Sequence, residues 1–278
     1  MDTFERDGLS FEVSDTGPAD GRVVIALHGF PEDRHCWDPL AASLAGTGHR
    51  TLAPDQRGYS PGARPAGRRA YTLDLLAQDV LALADEAGAT RFDLVGHDWG
   101  ATLAWYLAGN HPDRIRTLTA LSVPHPQAFL EAMTRSSQAL HSWYMAFFQI
   151  PNLPEAILRR AGEKRFVAQL RRTGLDEESA RRYARRAASP GAMTGPLNWY
   201  RALPFEVRNR PGPVTAPTLF VWGDSDPFIT QVAAERCARH VSGPFQFTTV
   251  VGGTHWLPTG SADDIAPRLH DHLGATAG

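Results

Sequence analysis

The stretch 94–100 carries the residue with the clearest chemical potential, Asp98, inside the pattern Gly-His-Asp-Trp-Gly. Glycines on both sides of a central residue let a strand and the following helix pass close together, which holds that residue in a strained, exposed turn. A carboxylate there needs no base to ionise it and can form an ester by attacking saturated carbon, as in an epoxide or a carbon–halogen bond. The same residues also fit an ordinary turn in which Asp98 caps a helix.

A histidine and two aspartates follow later in the chain, each just after a predicted strand. His255 lies in the glycine-rich stretch 252–256, and Asp224 and Asp226 follow a strand that ends at Trp222. Nucleophile, acid, histidine is the chain order of the triad in enzymes of the α/β-hydrolase fold. A histidine so placed can activate water, and a neighbouring carboxylate can orient its ring. Spacing alone does not separate Asp224 from Asp226 as that carboxylate.

Eight predicted strands position these residues in a mostly parallel sheet flanked by helices. The dipeptide Asp7-Gly8 favours a tight hairpin at one sheet edge, and 23–27 is apolar throughout, as in a strand buried on both faces. Open sheets of this kind bind ligands at the carboxyl ends of their strands, where the loop His28-Gly29-Phe30-Pro31 is also expected. The strands are predicted at residues 4–6, 9–13, 23–27, 50–53, 91–95, 117–123, 218–222 and 245–251.

Two local expectations accompany this arrangement. Asp55 and Arg57, in the loop after the strand at 50–53, are expected to brace that loop as a pair. The last helix is expected to begin near Asp264, because Pro267 is tolerated in a first turn and not in a helix interior.

Between about residues 126 and 210 no strand-like run occurs, and helix-forming stretches with arginine pairs are frequent. We therefore expect a helical cap insertion at 126–210, the cap segment, between two parts of one core, 1–125 and 211–278. The cap segment has 14 Lys and Arg against 7 Asp and Glu, a formal charge of +7, and the remainder carries −9. Arginine pairs at helical spacing favour a solvated face that also pairs with the acidic core, rather than a nucleic-acid surface.

The chain as a whole is nearly neutral and has the composition of a globular protein. Its 278 residues can bury one large core, and 42% hydrophobic against 21% charged residues excludes a disordered or fibrous chain. The formal net charge of −2 gives no reason to expect nucleic acid or an anionic membrane as partner. The first residues lack the apolar run of a signal peptide or membrane span, so we expect a cytoplasmic protein. Cys36 and Cys237 form neither a disulfide framework nor a zinc motif.

These motifs resemble those of the epoxide hydrolase family within the α/β-hydrolase superfamily, and the resemblance covers the core and the cap segment alike. The family carries an HGxP loop, present here as His28-Gly29-Phe30-Pro31, and a Gly-His-Asp-Trp-Gly elbow, present at 96–100. The family's relay acid matches Asp226 better than Asp224. The resemblance therefore implies Asp226 where spacing left the choice open.

The family also carries two tyrosines in a helical cap. The segments Ser142-Trp143-Tyr144 and Asn198-Trp199-Tyr200-Arg201 resemble the two segments in question. The resemblance implies that Tyr144 and Tyr200 are this pair, although each tyrosine alone is equally typical of packing in a helical core.

In such an enzyme Asp98 attacks an epoxide carbon while Tyr144 and Tyr200 donate hydrogen bonds to the ring oxygen and then protonate it. The product of that step is an ester on the enzyme. His255, oriented by Asp226, then activates a water that hydrolyses the ester.

The resemblance further implies how the reacting groups are surrounded. The backbone N–H groups of Phe30 and Trp99 would form an oxyanion hole for the hydrolytic step. No cofactor and no metal is implied, and the partner is a small apolar epoxide. Six further residues are expected to contact this substrate: His28, Pro31, Trp143, Phe148, Trp199 and Trp256.

Other functions remain open. A haloalkane dehalogenase would use Asp98 in the same way, with the indole N–H of Trp99 holding the halide, but its loop typically has Asn where Phe30 stands. A fluoroacetate dehalogenase shares the HGFP loop, but its elbow typically has Arg at the position after the nucleophile, where this chain has Trp99. A non-catalytic binding protein on this fold is a third possibility, and it would be expected to have lost Asp98, Asp226 or His255.

Overall fold

The computed structural model describes residues 1–207 and 209–275, and eight strands within them form one sheet. Strands β1 to β8 span Thr3–Arg6, Leu9–Thr16, Arg22–Leu27, His49–Pro54, Phe92–His97, Ile115–Leu121, Thr218–Gly223 and Phe245–Val250. Their order across the sheet is β1-β2-β4-β3-β5-β6-β7-β8. Strand β2 is antiparallel to both of its neighbours, and every other adjacent pair is parallel. The predicted eight-stranded, mostly parallel sheet is confirmed.

The edge hairpin forms where Asp7-Gly8 predicted it. Asp7 and Gly8 have φ of 51° and 75°, the left-handed conformation that a two-residue hairpin turn requires at both central positions. This hairpin extends the parallel part of the sheet by two antiparallel strands.

Twelve α-helices occur in the described part of the chain. Helices α1 to α12 span Asp38–Ala45, Leu73–Glu86, Trp99–Asn110, Pro126–Arg135, Gln138–His141, Trp143–Phe147, Leu153–Arg172, Glu177–Ala188, Thr194–Ala202, Gln231–Glu235, Leu257–Gly260 and Ala262–Gly274. Short 3-10 turns occur at Arg34–Trp37, Arg68–Tyr71, Leu203–Phe205 and Cys237–His240. No helix in residues 1–207 or 209–275 is long and apolar enough to cross a bilayer.

The central strands are buried on both faces, as the apolar run at 23–27 predicted. Ile25 and Leu27 of β3 belong to an apolar layer shared with α2 and α3. Val24 and Ala26, which point the other way, pack in a second layer with α1 and α12. Because neighbouring side chains of a strand face opposite sides, two helical layers are needed to cover this sheet.

Helices α4 to α9 lie between β6 and β7, and no residue of 126–207 or 209–210 joins the sheet. On α8 the arginine pairs divide between water and the core. Arg182 reaches Asp33 at 3.2 Å, and Arg186 reaches Asp55 at 2.9 Å. Their neighbours Arg181 and Arg185 are exposed. One helix therefore presents a solvated face and also pairs with acidic groups of the core.

Asp55 and Arg57 do not pair with each other, so that expectation is wrong. The carboxylate of Asp55 accepts hydrogen bonds from Arg34 at 2.6 Å and from Arg186 at 3.0 Å. Arg57 instead donates to Asp79 of α2 through two bonds of 2.7 Å. Each residue braces the loop, but towards partners far away in sequence.

The last helix, α12, begins two residues before the predicted start at Asp264. Pro267 therefore lies inside the helix, where its missing N–H removes one backbone hydrogen bond. The helix also buries side chains at intervals of four residues, Ile265, Leu269 and Leu273, against the sheet. This packing stabilises the helix despite the proline.

Candidate active site

Asp98 occupies the sharp turn between β5 and α3. Its backbone has φ 51° and ψ −116°, a conformation that residues other than glycine rarely adopt and that stores strain. A Cβ on Gly96 would overlap the carbonyl oxygen of Gly100, and a Cβ on Gly100 would overlap that of Leu27. Gly96 is needed because the turn brings the end of β5 against the start of α3. Gly100 is needed because the start of α3 contacts the backbone at the end of β3.

The loop after β3 lies directly against this carboxylate. The backbone N–H of Phe30 donates to Oδ1 of Asp98 at 2.7 Å. Gly29 permits the approach, because a Cβ there would overlap the side chain of Asp98. The Phe30–Pro31 peptide bond is cis. Trp99 opens α3, so its N–H has no acceptor within the helix.

The imidazole of His255 lies between two carboxylates. Its Nδ1 is 2.8 Å from Oδ2 of Asp226, and its Nε2 is 3.6 Å from Oδ2 of Asp98. Asp226 is fully buried and its other oxygen accepts the N–H groups of Phe228 at 2.7 Å and Ile229 at 3.1 Å. These bonds fix the carboxylate, and the carboxylate in turn fixes the ring.

Asp224 occupies a different position from Asp226. It is exposed, and its Oδ1 accepts the N–H of Gly252 at 2.7 Å, so it ties the loop after β7 to the loop after β8. The geometry therefore places Asp226 beside His255, in agreement with the resemblance.

Asp98 and His255 hold each other in their charged forms. Burial alone would lower the pKa of His255, but the charges of Asp226 and Asp98 outweigh it and raise that pKa from 6.5 to about 10. Burial would raise the pKa of Asp98, but the bond and charge of His255, the charge of His97 and the N–H of Phe30 hold it below its ordinary value. An imidazolium thus faces an ionised Asp98. Converting Asp98 to a neutral ester would remove one of the charges that raise the pKa of His255 and make it a better base.

Tyr144 and Tyr200 line the same cavity as Asp98 and His255. The two tyrosine rings are 6.1 Å apart, and Tyr200 packs edge-on against Trp99 at 4.9 Å. Burial, followed by the charge of Asp98, raises the pKa of both hydroxyls well above the ordinary value. Both hydroxyls therefore stay protonated and can donate hydrogen bonds.

The cavity has a volume of about 610 Å³, within the usual range for small-molecule sites. Its wall is mostly aromatic and aliphatic, and no Lys or Arg occurs among the described residues that line it. Of the predicted substrate contacts, the wall contains Pro31, Trp143, Phe148 and Trp256. An apolar molecule with one weakly basic oxygen fits these surroundings.

The other two predicted contacts, His28 and Trp199, do not line the cavity, and this part of the prediction needs correction. His28 is fully buried; its Nε2 accepts the N–H of Gln56 at 3.2 Å, and its Nδ1 faces the carbonyl of Gly29 at 2.9 Å. The indole N–H of Trp199 donates to the carbonyl of Arg57 at 2.8 Å. The polar atoms of both side chains bind backbone groups outside the cavity, so His28 and Trp199 support the residues that line it.

Sequence reasoning missed a buried polar group that holds the backbone of His255. His97 places Nδ1 2.6 Å from Glu32 and Nε2 2.8 Å from the carbonyl of His255. Burial would raise the pKa of Glu32, but the charge and hydrogen bond of His97 lower it, and the ring thus lies between the carboxylate of Glu32 and the carbonyl of His255. Ser122 donates to the same carbonyl at 2.7 Å. The only signal in the sequence was a charged residue directly after the HGxP loop.

Comparisons with known proteins agree with this geometry. The family model for the alpha/beta hydrolase fold matches residues 22–258. The AB hydrolase superfamily protein YfhM of Bacillus subtilis is 34% identical over 259 residues, 90% of each chain. Epoxide hydrolase 4 of Mus musculus is 33% identical over 268 residues, covering 93% of this chain and 74% of the mouse protein.

The structures agree as well. The crystal structure of epoxide hydrolase A from Mycobacterium thermoresistibile superposes with a TM-score of 0.85 and 26% identity, over 98% of this chain and 97% of that one. Sheet order, elbow and sequence matches together define an α/β-hydrolase. Within that superfamily the chain belongs to the epoxide hydrolase family, and it is a hydrolase.

We expect His255 to stay protonated through neutral pH and to lose its proton only near pH 10. Asp98→Asn removes one of the two negative charges that raise the pKa of His255, so the ring should titrate at lower pH. The raised pKa also stabilises the fold fully below pH 6.5, and this contribution is lost as the pH rises towards 10. NMR titration of isotope-labelled histidine measures the shift. Asp224→Asn is the control, and an unchanged titration in Asp98→Asn would contradict the electrostatic coupling.

Proposed function

We propose that this chain hydrolyses an apolar epoxide to a vicinal diol through an ester formed on Asp98. The observation that carries the proposal is one apolar cavity lined by Asp98, His255, Tyr144 and Tyr200. Relatives named epoxide hydrolase, at 30–33% identity over most of this chain, support the same assignment.

In the first half-reaction the two oxygens of Asp98 have different tasks. Oδ1 is already held by the N–H of Phe30 and would become the ester carbonyl oxygen. Oδ2, which carries no backbone bond and faces His255, would attack an epoxide carbon. The carbon–oxygen ring bond breaks, and Tyr144 and Tyr200 stabilise the alkoxide and supply its proton.

In the second half-reaction His255 is the base. Once Asp98 is a neutral ester, only Asp226 still raises the pKa of the ring, so the imidazolium can return its proton to the tyrosinate left by the first half-reaction. The neutral ring can then accept a proton from water, and it later gives that proton to the departing Oδ2. The water oxygen attacks the ester carbonyl carbon, and negative charge develops on Oδ1. The N–H of Phe30 is in place to stabilise that charge, with the N–H of Trp99 as the second donor. Collapse of this intermediate releases the diol with Oδ2 as its new oxygen.

The cavity favours an uncharged, bulky epoxide. Its wall includes the aromatic rings of Phe30, Phe148 and Phe228, and none of the described residues that line it is a Lys or Arg that could bind a carboxylate. Trp99, the halide donor of the dehalogenase alternative, is not among the residues that line it, and its indole instead interacts with Tyr200. These surroundings support epoxide over haloalkane or haloacid chemistry.

We expect the purified protein to convert styrene oxide to its diol and to release no halide from bromobutane. The physical reason is that two tyrosine donors suit a ring oxygen, whereas Trp99, the halide donor of the dehalogenase alternative, does not line the cavity. Chromatography of the diol and a halide electrode measure the two activities. Halide release at a rate comparable to diol formation would place the chain among the dehalogenases.

Asp226→Asn should slow turnover of the epoxide far more than Asp224→Asn. The Asn variant can no longer orient His255 or stabilise its charged form, and the corresponding change in a serine protease lowers kcat about 10⁴-fold. Asp224→Asn is the matched control, since Asp224 bonds only to neighbouring loops. The measurement is the kcat of both variants with an epoxide. A large loss of kcat in Asp224→Asn with a small loss in Asp226→Asn would reverse the assignment.

His255→Gln should form the ester and then stall, because His255 is needed only to activate water. Mass spectrometry of the variant mixed with substrate should find the substrate's mass added at Asp98, with no addition in Asp98→Ala and slow addition in Tyr144→Phe.

A single turnover of the wild-type enzyme in heavy-oxygen water checks the same mechanism independently. The diol should be unlabelled, because its new oxygen comes from the carboxylate of Asp98. Labelled diol in the first turnover would mean direct attack by water and would exclude the covalent route.

A further inference from the structure

Large exposed apolar side chains concentrate in one part of the described chain. Nine such side chains occur in residues 1–207 and 209–275, and five of them lie between positions 140 and 157, each 41–76% exposed. We call these five the apolar rim: Leu140, Trp143, Ile150, Leu153 and Ile157. A concentration of this kind is typical of a binding surface rather than of isolated surface residues.

Three residues of the apolar rim border the substrate cavity. Leu140, Trp143 and Ile157 are partly in water and also line the cavity wall. Leu153 lies one turn before Ile157 on the same face of α7, next to the cavity-lining Pro154. The outer surface and the interior of the site are therefore one continuous apolar region.

Cations lie beside this region. Arg160 follows Ile157 by three residues on α7 and is exposed. Lys164 and Arg165 are also exposed and follow a kink in α7 at Gly162, where φ is 75°, beside the exposed Glu163. None of the three forms an ion pair with any residue that the structure describes. Glu155, the acid nearest to the rim on this helix, is neutralised by Arg201 at 2.7 Å. This local positive charge is not apparent from the formal net charge of the chain, which is −2.

We propose that the apolar rim docks on an anionic lipid bilayer, so that apolar epoxides pass from the bilayer into the cavity. Exposed Trp, Leu and Ile beside Arg and Lys are the combination that inserts at a lipid interface and is attracted by its anionic headgroups. A symmetric pair of copies would instead bring the same cations together. The delivery of epoxide rests on the proposed function, but the docking does not.

The first experiment measures docking without substrate. The full-length protein is co-sedimented with vesicles of phosphatidylcholine alone and with vesicles of phosphatidylcholine and phosphatidylglycerol in equal parts. We expect binding to the anionic vesicles. Ile150→Ser with Leu153→Ser should weaken it about tenfold for each side chain, because neither can bury its apolar surface in lipid. The matched control is Val207→Ser with Val251→Ser, two exposed apolar residues outside the rim, which should bind like the wild type.

Charge is tested separately. Arg160→Gln and Lys164→Gln should each weaken binding to the anionic vesicles about fivefold and leave binding to phosphatidylcholine unchanged. No binding of the wild type, or equal binding by the rim variant, would overturn the proposal. A wild-type dimer that Ile150→Ser with Leu153→Ser dissociates would also overturn it, since the rim would then be an interface between copies.

The outcome is distinguishable from failure of the proposed function. Ile150 and Leu153 do not line the cavity, so their variants should keep the wild-type kcat/KM for an epoxide dissolved in water. Only turnover of an epoxide carried in anionic vesicles should fall with the loss of vesicle binding. A protein that binds vesicles but makes no diol would retain the docking surface and disprove the enzyme assignment instead.

Discussion

The site depends on one buried arrangement of charge, the imidazole of His255 between the carboxylates of Asp98 and Asp226. Burial alone would favour the neutral forms of Asp98 and His255, and their opposite charges keep both ionised, because opposite charges interact strongly where the dielectric constant is low. The parallel sheet makes the arrangement possible. Strands β5, β7 and β8 end at the same edge, and each delivers one member of the group.

Polar groups outside the reacting set hold this arrangement in place. The pair of Glu32 and His97 holds the carbonyl of His255, so the base is fixed through its backbone as well as through its ring. Arg186 of α8 pairs with Asp55 in the loop after β4, and the same helix reaches Asp33, just beyond the loop that carries Phe30. These ion pairs tie the cap segment to the core close to the loop that supplies the N–H donor to Asp98.

Much of the fold followed from patterns local in the sequence. The glycines at 96 and 100 predicted the turn at Asp98: Gly96 is required by the backbone at the start of the next helix, whereas Gly100 is required by the end of β3, a contact distant in sequence. The apolar run at 23–27 predicted a strand covered on both faces, because every residue of a strand points to one face or the other. Predictions failed where packing overrides a local preference. Pro267 lies inside α12 because burial of the helix's apolar side chains offsets the backbone hydrogen bond that the proline removes.

The sequence by itself determined the sheet, the elbow and the family resemblance, since these depend on periodicity and on residues close together in the chain. Only the tertiary structure decided that Asp226 and not Asp224 meets His255, that His28 and Trp199 point away from the cavity, and that Glu32 pairs with His97. The reason is physical: a side chain's direction depends on rotamers and on partners contributed by distant segments. The residues next to such a side chain in the sequence do not specify those partners, which come together only when the strands and helices pack.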